Sequence, residues 1–237
     1  MMEPAFSVQR SAFRKPAFSV QRSAFRHRGP SRVIAVVVAM AGLAGAAAAQ
    51  GSGQNAPIAK ALVPYTTCSF PDGLRVVQTA PLATGVASRP VQTANGTQSI
   101  EMEAAEQVTF GYPLTDLFAN AKAELLPAAR YAEMKRILLA NLTFLESERN
   151  GPTAARALPV GLHGFEVHGS DLQKLAGSML GMYVLFDDKA HVATTVYFLN
   201  QQAWERKFQT MGEYGRLRDS FLKAYTGCVR VNQAVAR

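Results

Sequence analysis

Side chains with reactive chemistry are sparse in this chain, and those present are scattered. It holds one tryptophan, two cysteines and four histidines. No His-Glu-x-x-His occurs, which excludes that helical zinc-protease signature. No glycine-rich turn ends in Gly-Lys-Ser or Gly-Lys-Thr, which excludes a phosphate-cradling loop of the P-loop type. Gly169-Ser170-Asp171 lacks the second glycine of a nucleophile elbow, so the serine is not assigned as a nucleophile. No catalytic residue and no cofactor is therefore assigned from the sequence.

An excess of one charge sign is also missing where it would matter. The formal net charge is +8. Yet residues 1–32 carry seven basic residues against the single acid Glu3, while the remainder holds 18 Lys+Arg against 16 Asp+Glu. A near-neutral body lacks the cation excess that a phosphate backbone demands, so no nucleic-acid partner is expected.

What is present begins with a leader. Residues 33–49 carry no charge and no strong polar group, basic residues precede them, and Ala47-Ala48-Ala49 offers a small-x-small cleavage site before Gln50. This is the three-part layout of a secretory signal peptide. The run lies at the lower limit of a bilayer span, which needs about 20 residues. Its second half is Ala and Gly, weakly apolar for a permanent anchor. The reading is cleavage and release to the periplasm or the medium, with no stable membrane span afterwards. The alternative is an uncleaved leader that makes a membrane-anchored interaction protein. No cysteine sits just after the run and no Arg-Arg pair precedes it, which disfavours a bacterial lipoprotein and the twin-arginine route. Upstream, Pro4–Arg14 recurs as Pro16–Arg26. Two copies do not make a solenoid, and the repeat reads as a duplicated stretch rather than as a basic-aromatic binding arm.

The domain plan that follows places a basic, unfolded leader at 1–32, the apolar signal region at 33–49 and a flexible lead-in at 50–67. A single domain then fills 68–228, with a tail at 229–237. Within the domain, residues 79–97 are rich in Thr, Ala, Pro and Gly and read as a loop or irregular edge. Ile100, Met102 and Ala104 alternate with acids as a half-exposed strand, which Val108-Thr109-Phe110 could extend. Leu114, Leu117, Phe118, Ala121 and Leu125 form one apolar helical stripe; Tyr131, Met134, Leu138, Leu142 and Leu145 form a second, stopped by Asn150-Gly151-Pro152. The second half reads as a β-meander. Val160–Gly169 is Gly-rich and short in period, and residues 179–186 and 191–199 make a hairpin around Asp187-Asp188-Lys189-Ala190. Gly177-Ser178-Met179-Leu180-Gly181 reads as a loop at a strand entrance. Tyr214, Leu217, Phe221 and Tyr225 mark a final helix that Gly227 should stop. The class is α+β: an antiparallel sheet, built mainly from the second half, covered by helices at 114–147 and 213–226.

Cys68 and Cys228 bracket the domain. In an exported chain an even count invites a structural disulfide. Free thiols and a redox pair are the alternatives, although redox pairs usually sit as Cys-x-x-Cys.

Two constellations are candidates for a site. His163, Glu166, His168 and Asp171 place imidazole and carboxylate ligands that suit zinc within one short segment. On a strand, however, Glu166 and His168 would share one face and His163 and Asp171 the other. They remain weak metal candidates, and an exported metal-dependent hydrolase is the rival reading they support. The aromatics Tyr183, Phe186, Tyr197, Phe198 and Trp204 are candidates for a binding surface, with core packing as their ordinary role.

The order of elements resembles a known family. A Phe70-Pro71-Asp72-Gly73-Leu74-Arg75-Val76 opening precedes a long helical stretch. A Gly-rich strand around Gly164-Phe165-Glu166-Val167 comes next, then the hairpin of residues 178–199 and a closing helix bearing Ser220-Phe221. This is similar to the PsbP/Mog1-like α/β family, which includes small exported bacterial proteins. The resemblance implies an antiparallel sheet flanked by helices and an accessory or binding role without catalysis. The family shares no catalytic residues to carry over. The expectation is a non-enzymatic binding or accessory protein of a bacterial envelope or extracellular space, its partner a protein or a small ligand held in a groove between helix and sheet.

Overall fold

The structure is a computed structural model that describes residues 59–70, 75–111, 117–151, 158–171, 178–200 and 210–236. The signal region, Trp204 and Leu114 lie outside the described residues. Seven antiparallel strands form one sheet: β1 (Arg75–Thr93), β2 (Gly96–Gly111), β3 (Leu117–Leu125), β4 (Leu158–Leu162), β5 (Phe165–Asp171), β6 (Met179–Asp187) and β7 (Val192–Asn200). Their spatial order is β1-β2-β3-β7-β6-β5-β4. Among the described residues three α-helices accompany them: α1 (Val63–Thr66), α2 (Tyr131–Asn150) and α3 (Met211–Val235). The α+β class with an antiparallel sheet read from the sequence is the class observed.

The topology explains the layers. β1, β2 and β3 form one meander, β4 to β7 a second, and α2 carries the chain between them to the opposite edge of the sheet. The second meander returns so that β7 pairs with β3 from Leu117↔Asn200 to Leu125↔Val192. α2 covers one face, where Met134, Ile137, Leu138 and Leu142 pack on Ile100, Met102, Met182, Val184 and Phe186. α1 and α3 cover the other, where Tyr65, Tyr214, Phe221, Tyr225 and Val229 pack on Val108, Phe110, Phe165, Val167, Leu185 and Phe198. A sheet apolar on both faces needs such a cover on each side.

Two stretches differ from their sequence reading. Residues 79–97 are not a loop. They form most of β1, its turn and the start of β2. The breakers that suggested a loop are tolerated because β1 is an edge strand. Its register shifts at Pro81/Ala83 and Thr84/Ala87, and Gly85 adopts φ +85° at the second shift. The stripe at 114–125 is likewise not helical where it is described, since Leu117–Leu125 is β3, a central strand. The same residues satisfy period two, with Leu117, Ala119, Ala121 and Ala123 buried on the α3 side. Full-length pairing with β2 and β7 overrides the helical preference of an Ala-rich segment.

Two other readings hold. The stripe at 131–145 is α2, and Gly151 caps it at φ +85° with its N–H on Ser147 O at 3.0 Å. The hairpin of residues 178–199 is β6–β7, with its turn at 188–191. The domain limits move outwards. Leu62 and Tyr65 are buried, so the folded chain starts before Cys68. α3 runs through Gly227 to Val235, so 229–237 is not simply a tail. Glycine costs a helix interior about 1 kcal/mol. Beyond it lie the buried Val229, Arg230 on Asp187, and Asn232 on Pro64 O, which together outweigh that cost.

Candidate functional site

The metal candidates are dispersed. β4 and β5 are joined by the two-residue turn His163-Gly164, with φ +48° and +77°. This left-handed pair suits the twist of a tight hairpin. His163 is therefore a turn residue and sits on neither strand. Glu166 and His168 share the α2 side of β5, 2.7 Å apart, and Lys135 of α2 reaches Glu166 at 2.5 Å and Asp188 at 2.9 Å. The Lys135 hydrogen bond, more than any other contact, holds the Glu166 carboxyl below its ordinary pKa. Asp171 faces the opposite side. It accepts from Tyr214 Oη at 2.8 Å and Tyr183 Oη at 3.1 Å and pairs with Arg218. Among the described residues, no three His, Cys, Asp or Glu side chains gather as a metal site requires.

The described aromatic candidates form no common surface. Tyr183 and Phe198 meet edge to face, 5.8 Å between centroids, inside the α3-side core. Phe186 is buried on the α2 side under Lys135, whose Nζ stands 5.1 Å from the ring centroid. Tyr197 is half-buried on that same side.

Buried carboxylates tie the layers together. Glu124 of β3 accepts two bonds from Arg89, at 2.6 and 2.9 Å, and one ion pair from Lys122 at 3.1 Å. Burial alone would raise its pKa, but the two cations hold it below the ordinary value. Asp187, at the end of β6, accepts on Oδ2 from Tyr65 at 2.7 Å, Arg230 at 2.7 Å and Gln233 at 2.8 Å. Here too burial pushes upward and the donors win, leaving the carboxyl below its usual range. A cavity of about 320 Å³ lies beside this junction, rimmed by Lys60, Lys189 and Arg230. Asp187 lines this cavity although it is almost wholly buried: its Oδ2 is taken by the three donors, and its Oδ1 has no hydrogen-bond partner among the described residues.

A larger groove, of about 450 Å³, lies along α3, between that helix, the chain after α1 and the β4–β5 turn. Its polar lining is Ser69, His163, Ser220 and Lys223, and Phe70, Gly227 and Cys228 complete it. Ser220, Lys223, Ala224 and Gly227 are one helical stripe at i, i+3, i+4 and i+7, which explains why one face of α3 supplies half the wall. Phe70 forms the floor, edge-on to Phe110 at 5.3 Å and tilted against Phe221 at 6.1 Å. Arg230 pins the β4–β5 turn to α3 by donating to His163 O at 2.8 Å and Gly164 O at 3.1 Å. This sets the imidazole against Gly227. Cys68 and Cys228 are joined by a disulfide, with Cα atoms 5.8 Å apart, and Cys228 forms the end of the groove. No carboxylate occurs among the described lining residues, which offer hydroxyl, imidazole and ammonium groups to an anion.

Of the candidates for a binding surface that are described, Tyr183, Phe186, Tyr197 and Phe198, none lines this groove, and of the metal candidates His163 does. One signal could have located it. If Cys68 bonds Cys228, residues 69–70 must lie against the outer stripe of the last helix. No helix among the described residues is long and apolar enough to cross a membrane. No family model, curated protein or solved structure matches the chain.

Proposed function

We propose that this chain is an exported, non-enzymatic binding protein that holds a small anionic ligand in the groove along α3. The observation that carries this reading is the groove's lining: hydroxyls of Ser69 and Ser220, the His163 imidazole and the Lys223 ammonium, over an aromatic floor, with no carboxylate among the described lining residues. A concave site with a few convergent polar groups is the usual form of a small-ligand site. Export is supported by the signal-like run at 33–49 and by a disulfide, a bond that persists in oxidising compartments. The accessory role draws on the resemblance of element order to PsbP/Mog1-like proteins.

Titration with inorganic phosphate and with citrate, followed by amide chemical shifts, tests the groove. The expected result is saturable shifts at Ser69, His163 and Lys223, lost in Lys223→Glu. Shifts absent from these residues in both titrations refute the reading. Intact mass of the protein from its producer's extracytoplasmic fraction tests export. A chain starting at Gln50 supports it, and a chain found only in the cytoplasm with its leader intact counts against it.

A further inference from the structure

The two sulfurs of the disulfide stand in different surroundings. Cys68 is buried, its Sγ 3.8 Å from Pro64 O and 4.0 Å from Tyr225 O. Cys228 is half-buried and lines the groove together with Lys223 and His163. A disulfide is opened by a thiolate that must reach one sulfur, so access and local charge decide which one is attacked. Only the Cys228 side opens on the groove, and that approach is lined by a cation and by donors.

We propose that the Cys68–Cys228 bridge is an exchange site, opened through the groove by a thiolate that attacks Cys228. The attacking sulfur forms a bond to Cys228 Sγ as the Cys228–Cys68 bond breaks. The electron pair leaves on Cys68 Sγ, which takes a proton from water, and the carbonyls of Pro64 and Tyr225 are then its nearest acceptors. A second thiolate attacks its own sulfur partner in the mixed disulfide. This releases Cys228 reduced and leaves the reductant as a disulfide. The co-reactant is a free thiol or the dithiol of a Cys-x-x-Cys protein.

The fold accommodates the reduced state. α1 remains attached to α3 and β6 without the bridge. Tyr65 donates to Asp187 at 2.7 Å, Tyr225 donates to Tyr65 O at 3.0 Å, Gln233 donates to Tyr65 Oη at 3.0 Å and Asn232 donates to Pro64 O at 3.2 Å. Opening the bridge therefore removes the covalent tie beside Ser69 and Phe70, which wall the groove, while these contacts keep the core closed. The inference rests on the unequal burial of the two cysteines and on Cys228 lining the groove, and it stands whether or not the groove binds other anions.

The test treats the oxidised protein in native buffer with glutathione and, separately, with a Cys-x-x-Cys dithiol protein. Reactions are quenched with acid, digested with pepsin and mapped by mass spectrometry. The expected product is a mixed disulfide at Cys228 in at least one arm, and the arm that reacts identifies the source of the thiolate. Lys223→Glu, an exposed substitution, should slow glutathione attack about fivefold at low ionic strength without changing the circular dichroism. Three results would each overturn the proposal. They are an adduct on Cys68, a bridge that resists both reagents until denaturant unfolds the chain, or a Lys223→Glu rate equal to that of the wild type.

Discussion

Individual residues in this chain take their meaning from partners far away in sequence. Asp171 could be read as a metal ligand by type alone, yet it serves Tyr183, Tyr214 and Arg218. Gly181 could be read as a loop residue, yet it lies in β6 because its missing side chain makes room for that cluster. A Cβ there would overlap both Asp171 Oδ1 and Tyr214 Oη. Gly181→Ala should therefore cost about 1–3 kcal/mol, as overpacking does. A fall in the urea midpoint with unchanged slope checks it. Asp187 could be read as a turn residue, yet it receives three side-chain donors that join α1, α3 and the sheet. Asp187→Asn keeps the shape and removes the charge from Arg230, and should cost about 2–3 kcal/mol at neutral pH. The pH dependence has a definite sign. The folded carboxyls of Asp187 and Glu124 lie below their ordinary values. Their stabilisation is complete above the unfolded carboxylate range near pH 4 and is lost as pH falls through the lower folded values. Urea melts from pH 7 to pH 2 should show the gap between wild type and Asp187→Asn narrowing only below about pH 4.

At the scale of elements, legibility depended on whether local and tertiary signals agreed. α2 and the β6–β7 hairpin were legible because period, stop residues and burial all point the same way. β3 was not, because Leu117–Leu125 fits a helical stripe and an alternating strand at once, and only the pairing on both sides decides between them. β1 was hidden by Pro81, Gly85 and Pro90, which an edge strand with bulges admits. The end of α3 was misplaced for a related reason: Gly227 is a stop signal only if nothing beyond it is buried, and Val229 is. Its start is clearer. Thr210 Oγ1 accepts from Glu213 N at 3.1 Å, and Glu213 Oε2 accepts from Thr210 N at 3.0 Å, a complete capping box. Thr210→Ala should cost about 1 kcal/mol. Amide exchange locates the effect: protection should fall in the first turn of α3 and stay unchanged near Val229.

At the scale of the whole molecule, the bridge closes the folded chain on itself. It joins residues 160 apart in sequence, linking the segment after α1 to the last turns of α3. The pairing was legible from compartment logic and from an even cysteine count, whereas the groove it creates was not, because that required knowing which face of α3 turns outward. In the chain-entropy model a loop of this length is worth about 5 kcal/mol at most, mainly by restricting the unfolded chain. The noncovalent contacts at the same place act on the folded state instead. The two contributions are separable by replacing both cysteines with alanine. The double variant should stay folded and cooperative, since both faces of the sheet keep their helices. Its stability should fall by about 2–5 kcal/mol. Its denaturant slope should rise, because an unbridged unfolded chain exposes more surface. A fall in stability with no rise in slope would place the effect of the bridge in the native state, on the α1–α3 contact. That result would mean that opening the disulfide acts by loosening the groove wall rather than by expanding the unfolded chain.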